Sequence, residues 1–383
     1  MFSSMFRNYK LKNLNLRLII SVMALTIIGI MVIGSANADY QNKQIMGLVL
    51  SLIVMAFMAL IDFEFLLQFY YVYYALACLA LLLVFTPLGD SAGGATRWVN
   101  LGIRFQPSEM AKIFLVLFFA QFLLRFEDNL NTYKSLAIIA VTAGIPLVLI
   151  VSEPDLSTTI VTFLIISALI FAMGLSYKLV GIVLGVTIPA IGILLLLVMQ
   201  EGQTILDEYQ GLRILAWLKP DEYPESSYQQ TNSIMAIGSG QFLGKGLNTD
   251  ALDSVKNGNY ISEPQTDFIF AVAGEELGFI GSAIIVILLL IIVIECLRVA
   301  KKAKTKSGEL LCIGIASLIG FQSFVNICVV TGLMPNTGLP LPFVSYGLTS
   351  LVTLYFGIGI VLNVGLQAKN IRRSYHEYRI GSA

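Results

Sequence analysis

Asp267 stands where a long polar segment meets an apolar run, within Glu263-Pro264-Gln265-Thr266-Asp267-Phe268-Ile269-Phe270. A carboxylate there would be reachable by solvent yet bordered by apolar groups, as a general base needs. The same spacing suits a plain structural role, with Thr266 capping the helix and Asp267 complementing its dipole. The single histidine, His376, lies in a basic C-terminal tail, which excludes His-based triads and multi-histidine metal sites. A base must then come from a carboxylate, Lys, Tyr or Cys.

Four more groups of residues carry chemistry at helix ends. Gly93-Gly94-Ala95-Thr96-Arg97-Trp98 leads to Gln106-Pro107-Ser108-Glu109-Met110-Ala111-Lys112. Pro107 suits the first turn of a helix. Glu109 and Lys112, three apart, share a face and can neutralise each other inside a span. They are either a functional pair or a structural one, and Trp98 is either a site residue or an interfacial anchor. In Glu153-Pro154-Asp155-Leu156-Ser157-Thr158, Asp155 is placed as an N-cap. Gln210-Gly211-Leu212-Arg213 offers a guanidinium whose planar fork suits phosphate, although a lone Arg is more often an ordinary loop residue. Gly238-Ser239-Gly240-Gln241-Phe242-Leu243-Gly244-Lys245-Gly246 could bring backbone amides and the Lys245 ammonium to an anion, or form a tight turn. Its spacing fits neither a Walker A loop nor a dinucleotide fingerprint. Glu275 and Glu276 lie deeper and are costly there unless paired.

The elements that position these residues are membrane helices. Of 383 residues, 57% are hydrophobic and only 13% charged, far from the roughly 25% of a soluble domain. Apolar runs recur at 16–35, 45–61, 69–86, 107–124, 135–151, 156–173, 178–199, 268–297, 309–332 and 345–367. The expected fold is all-α and polytopic, one domain over 1–383 with about ten spans. The first run lacks a small-residue cleavage site and reads as a retained helix. Net charge is zero, so overall charge implies no nucleic-acid partner. Cys78, Cys296, Cys312 and Cys328 fall in or beside apolar runs without a CxxC pair, which argues against zinc or a disulfide framework.

Orientation follows the basic residues. With both termini cytoplasmic, 16 of 24 Lys and Arg face inward, the cluster Arg298–Lys306 being the strongest anchor. Segments 86–106 and 200–267 then lie outside. The second is the large loop between helices 7 and 8, with ten acidic and four basic residues. Ile234–Ile237 and Phe242–Leu243 are expected to dip back toward the membrane face. Loops of this length are often functional. Gly357 and Gly359 offer a small-residue face for a partner helix.

Together these motifs resemble the SEDS family (shape, elongation, division and sporulation), which includes RodA, FtsW and SpoVE. The likeness runs through Gly94-x-x-Arg97-Trp98, Gln106-Pro107-Ser108-Glu109-x-x-Lys112, Glu153-Pro154-Asp155-x-x-Thr158, Thr266-Asp267-Phe268-Ile269-Phe270, Glu275-Glu276-x-Gly278 and Leu341-Pro342-Phe343-Val344-Ser345-Tyr346-Gly347. Segments 103–107 and 237–246 look more like RodA than FtsW. Leu348 departs from the family's usual second glycine, and Leu247–Ile261 has no strong match.

The resemblance implies a peptidoglycan glycosyltransferase of the bacterial cytoplasmic membrane, active on its extracytoplasmic face. It would polymerise lipid II, whose disaccharide-pentapeptide is carried on undecaprenyl diphosphate. It implies Asp267 as the catalytic residue and a class B penicillin-binding protein as partner. Arg97, Arg213 and Lys245 are candidates for the diphosphate; Trp98, Glu109, Lys112 and Ser345 complete the expected substrate site. A divalent cation, magnesium or manganese, bridging carboxylate and diphosphate would offset the loop's acidity, though no ligand set is readable. A lipid II flippase and a non-catalytic scaffold are the competing readings. A flippase should need accessible sites on both leaflets, whereas the polar motifs gather outside.

Overall fold

The computed structural model describes residues 9–92, 95–100, 104–199, 208–248, 254, 258 and 260–368. In chain order its helices are α1 Leu16–Ala36, α2 Ala38–Leu60, α3 Phe63–Leu67, α4 Tyr70–Leu83, α5 Pro107–Phe122, α6 Tyr133–Ser152, α7 Leu156–Met173, α8 Tyr177–Val198, α9 Glu208–Leu218, α10 Pro224–Ser239, α11 Ile269–Lys302, α12 Lys306–Val330 and α13 Leu348–Leu366. All ten expected spans are helical. Eight are long and apolar enough to cross a bilayer. The other two, α4 with 14 residues and α5 with 16, are shorter and run side by side. Tyr74 packs on Phe118 there, with ring centroids 4.5 Å apart.

Local sequence explains where helices begin. Asn15, Asn37, Asp62, Thr132, Asp155 and Thr305 each accept a hydrogen bond from a first-turn amide. Pro107 opens α5, where its missing N–H costs nothing. The core lies around α12 and α13, whose spanning stretches are two-thirds enclosed by protein. By contrast, the described side chains in the apolar stretch of α8 are almost all left uncovered by the rest of the protein.

Three expectations change. Segment 86–106 is not only loop: β1 Gly89–Ala92, β2 Ala95–Asn100 and β3 Arg104–Phe105 form a small antiparallel sheet in that order. Segment 200–267 is not structureless, because α9 and α10 fill much of it. Ile234–Ile237 belong to α10, and Phe242, in the turn after it, stacks on Phe279. Finally, Gly357 and Gly359 do not form an open face. A Cβ on Gly359 would lie 2.7 Å from the Met55 carbonyl oxygen of α2, and one on Gly357 would meet Ile315 and Ile113. Both glycines serve packing within the chain. Leu348 is accommodated the same way, its side chain lying over Gly47 of α2.

The longest helix, α11, is broken at Gly278, whose φ is 64° and ψ −162°. The turn after α10 closes around the break. Phe279 N donates to Gln241 O at 2.9 Å, Lys245 N to Glu275 O at 2.9 Å, and Gly246 N to Glu276 O at 3.0 Å. A Cβ on Gly240 would sit 2.0 Å from Gly274 O, and one on Gly244 2.2 Å from Glu276 O. The glycine motif at 238–246 therefore lets two backbones touch, and its amides serve helix carbonyls rather than an anion.

Candidate active site

Asp267 lies one residue before Phe268, the N-cap of α11. Thr266 does not cap that helix; its hydroxyl donates to Glu263 O at 2.8 Å and closes a local turn. The backbone at Asp267 is held from behind. Asn326 Nδ2 donates to Asp267 O at 2.8 Å, Ser345 Oγ to Thr266 O at 2.7 Å, and Tyr346 N to Gln265 O at 2.9 Å. The half-buried carboxyl is pushed up to about 6 by burial, with Asp155 and Glu109 adding to the rise. Arg213 and Arg97 oppose it. Asp267 thus stays mostly ionised at neutral pH while close enough to neutrality to take and release a proton.

Arg97 comes from β2 and donates from Nη2 to the Pro154 carbonyl in the α6–α7 turn. Trp98, its neighbour in the strand, pairs in register with Asp90. Arg213 comes from α9 and donates from Nη1 to Asn336 O at 3.2 Å. Both guanidiniums line a cavity of about 20 Å³ with Pro154, Ser157, Gln210 and Asn336. That volume holds a water molecule or two. A sugar diphosphate needs the walls to part.

The irregular segment between α12 and α13 ties the site together. Pro335, Pro340 and Pro342 deprive it of donors, and its carbonyls are taken by side chains from many directions. Trp217 Nε1 donates to Gly332 O at 2.9 Å, Gln230 Nε2 to Met334 O at 2.7 Å, and Ser157 Oγ to Thr337 O at 3.3 Å. Asn326 Nδ2 also reaches Leu339 O at 2.6 Å, and Gln322 Nε2 reaches Pro340 O at 3.0 Å. Gln44 Nε2 donates to Ser345 O at 3.2 Å. Ser345 Oγ additionally accepts from Leu341 N at 2.7 Å, so this buried serine positions backbone and is not open to a ligand.

Glu109 and Lys112 form a buried pair on α5, Nζ to Oε1 2.6 Å. Lys112 also donates to Gln322 Oε1 at 2.6 Å, and Ser350 Oγ to Glu109 Oε2 at 3.2 Å. The pair is thereby wired through Gln322 to the same proline-rich segment. Asp155 caps α7 through Thr158 and accepts from Gln106 Nε2 at 3.2 Å, which fastens the start of α5 to the start of α7. Glu153, just before it, is 1% exposed, and neither carboxyl oxygen has a hydrogen-bond partner among the described residues. Burial, reinforced by Asp155 and opposed by Arg97, pushes it up to about 9.

The expected site residues therefore separate. Asp267, Arg97 and Arg213 act on one another. Trp98 lies beside Arg97 in the strand, whereas Glu109, Lys112 and Ser345 support from behind. Lys245 is elsewhere: its ammonium pairs with Glu275 at 2.9 Å, and it is not among the charges acting on Asp267. Sequence reasoning missed Gln322, Asn326, Asn336 and Gly338. The available signal was two amides four apart on an apolar helix, followed by Pro335-Asn336-Thr337-Gly338. Among the described residues no group of three His, Cys, Asp or Glu side chains could hold a metal. A divalent ion would draw most ligands from phosphate and water, as magnesium commonly does.

Comparison with known proteins bears on this arrangement. Residues 9–370 match the family of FtsW, RodA and SpoVE, described as cell cycle protein. The chain belongs to this family. The probable peptidoglycan glycosyltransferase FtsW of Geobacter sulfurreducens is 35% identical, covering 94% of this chain and 97% of that one. The peptidoglycan glycosyltransferase MrdB of Escherichia coli is 33% identical, covering 93% and 95%. Among solved structures, a chain from work on coordinated polymerization and crosslinking by a peptidoglycan synthase complex matches with a TM-score of 0.74. It is 27% identical, covering 92% of this chain and 97% of its own. RodA of Thermus thermophilus shares the fold, with a TM-score of 0.68 at 24% identity, covering 93% and 98%. This FtsW/RodA/SpoVE member is thus a polytopic helical membrane protein whose relatives are named for one activity.

Proposed function

We propose that this protein is a peptidoglycan glycosyltransferase that polymerises lipid II, with Asp267 as its general base. The observation that carries the reading is a half-buried carboxylate at a helix start, flanked by two guanidiniums. Asp267 takes the proton from an acceptor sugar 4-hydroxyl as that oxygen attacks the donor's anomeric carbon. The new glycosidic bond forms as the bond from that carbon to the diphosphate oxygen breaks, inverting the centre. Arg97 and Arg213 stabilise the charge developing on the leaving diphosphate. Trp98, next to Arg97 in β2, is a further substrate contact. Ser345 and the Glu109–Lys112 pair act by positioning.

The basic-residue distribution supports cytoplasmic termini and an extracytoplasmic site. Similarity to a chain of a peptidoglycan synthase complex supports pairing with a class B penicillin-binding protein. The test is polymerisation of labelled lipid II by purified protein, alone and with such a partner. Glycan strands made by wild type and lost in Asp267→Asn support the assignment. Lipid II crossing vesicles without polymer would indicate a transporter instead. Labelling of a single cysteine at position 302 from outside intact cells would overturn the orientation.

A further inference from the structure

Gly338 is the point where the proline-rich segment passes the base. Its φ is +75°, and a Cβ built there lies 3.1 Å from Asp267 Oδ2 and 3.7 Å from Arg97 Nη1. The carboxylate and the guanidinium thus flank one small space whose floor is bare backbone. A side chain would enter that space before substrate did. The width of the space is set from behind. Asn326, 1% exposed, uses one amide group to hold both Asp267 O at 2.8 Å and Leu339 O at 2.6 Å. It clamps the backbone carrying the base to the backbone carrying Gly338.

We propose that the gap above Gly338 is the subsite in which the sugar hydroxyl meets Asp267 and the departing phosphate oxygen meets Arg97, with Asn326 as the positioning residue that fixes its width. This rests on the glycosyltransferase reading above. Two consequences follow from the geometry. A methyl group at 338 obstructs the sugar and strips water from Asp267 Oδ2. Loss of the Asn326 amide releases the two walls from each other, without touching substrate.

The obstacle to a clean test is backbone strain, because any L-residue at this φ is disfavoured. Gly332 supplies the control. Its φ is +79°, but a Cβ there meets only the side chain of Ile234. Gly338→Ala, Gly332→Ala and Asn326→Ala are compared for thermal stability, lipid II binding and polymerisation rate against pH. Gly338→Ala should weaken lipid II binding by about tenfold, the equivalent of a modest steric clash. It should also move the acid limb of the rate profile to higher pH. Gly332→Ala should share any stability loss but neither of these changes. Asn326→Ala should lower the rate by about 10²-fold, the scale of a small misplacement of a reacting group. Combined with Gly338→Ala it should add less than its separate effect, since both alter one gap.

Equal loss of binding in Gly338→Ala and Gly332→Ala would assign the effect to backbone strain and overturn the proposal. So would wild-type affinity and an unmoved acid limb in Gly338→Ala. If wild type binds lipid II without polymerising it, the glycosyltransferase reading fails. The gap is still judged by whether Gly338→Ala alone weakens binding.

Discussion

Two carboxyls at helix ends feel the same guanidinium, Arg97, and they end in opposite states. Asp267 opens α11, is half-buried, faces a second cation in Arg213, and is pushed only to about 6. Glu153 ends α6, is sealed from solvent with no donor on either oxygen among the described residues, and is pushed to about 9. Both shifts begin with burial. What separates them is a second opposing charge, Arg213, which acts on Asp267 and not on Glu153. One acid is therefore ionised at neutral pH and suited to accept a proton. The other holds its proton and so presents no full negative charge to Arg97. Proximity to an arginine alone does not make a reactive carboxylate.

The strongest way to break this comparison is Asp267→Asn, which keeps shape and removes basicity. The expected outcome is a membrane-inserted protein that still binds lipid II and polymerises at a rate lower by about two orders of magnitude or more. Its stability should move the other way. The folded state holds the Asp267 proton up to about pH 6, against an ordinary value of 3.8. Stability is thus lost as pH rises through that window, and the amide removes the loss. A near-normal polymerisation rate would end the case for Asp267 as base.

Lys112→Ala comes next, through stability as much as activity. Lys112 and Glu109 side chains are 0% and 4% exposed, so removing one strands the other in a low-dielectric setting. The cost is about 3–5 kcal/mol, read as a lower unfolding temperature. Because Lys112 also holds Gln322, which holds the segment carrying Gly338, the polymerisation rate should fall with it. Reversing both charges should recover part of each loss. A variant that folds and polymerises normally would reduce the pair to helix decoration.

Lys245→Ala sharpens the contrast between site and scaffold. Its side chain is 20% exposed and its ammonium pairs with Glu275 beside the broken helix. It should lower the unfolding temperature modestly, by less than Lys112→Ala, and leave the apparent KM for lipid II unchanged. A large rise in KM would return Lys245 to the diphosphate site.

The fold was legible because hydrophobic runs of spanning length determine themselves locally, and all ten became helices. Asp155 as a cap and Pro107 as a helix start were legible for the same reason. Residues that act across the fold were not. Lys245 and its glycines looked like an anion cradle because a glycine's neighbour is invisible in sequence; here the neighbour is the backbone of α11. Gly357 and Gly359 misled in the same way. Asn326 and Gln322 were passed over because polar residues within a span carry no mark of what they hold. The small sheet escaped because its strands are short and set among glycines.

Glu153→Gln should have the smallest effect on rate and the most telling dependence on pH. The amide copies a protonated carboxyl, so at pH 7 the polymerisation rate should stay within a few-fold of wild type. Near pH 9 wild type should decline, because the charge appearing on Glu153 competes with the diphosphate for the field of Arg97. The glutamine variant should lack that alkaline limb and keep the acid limb set by Asp267. Stability supplies an independent reading with a definite sign. Between the ordinary value of 4.5 and about 9 the folded protein holds a proton on Glu153 that the unfolded chain releases, so wild type loses stability as pH rises through that window. The stabilisation conferred by glutamine should therefore grow from pH 5 to pH 8 in thermal unfolding of the detergent-solubilised protein. If the difference is flat across that range, Glu153 is already ionised in the folded state. Arg97 would then be its partner, and the two carboxyls would not be in opposite states.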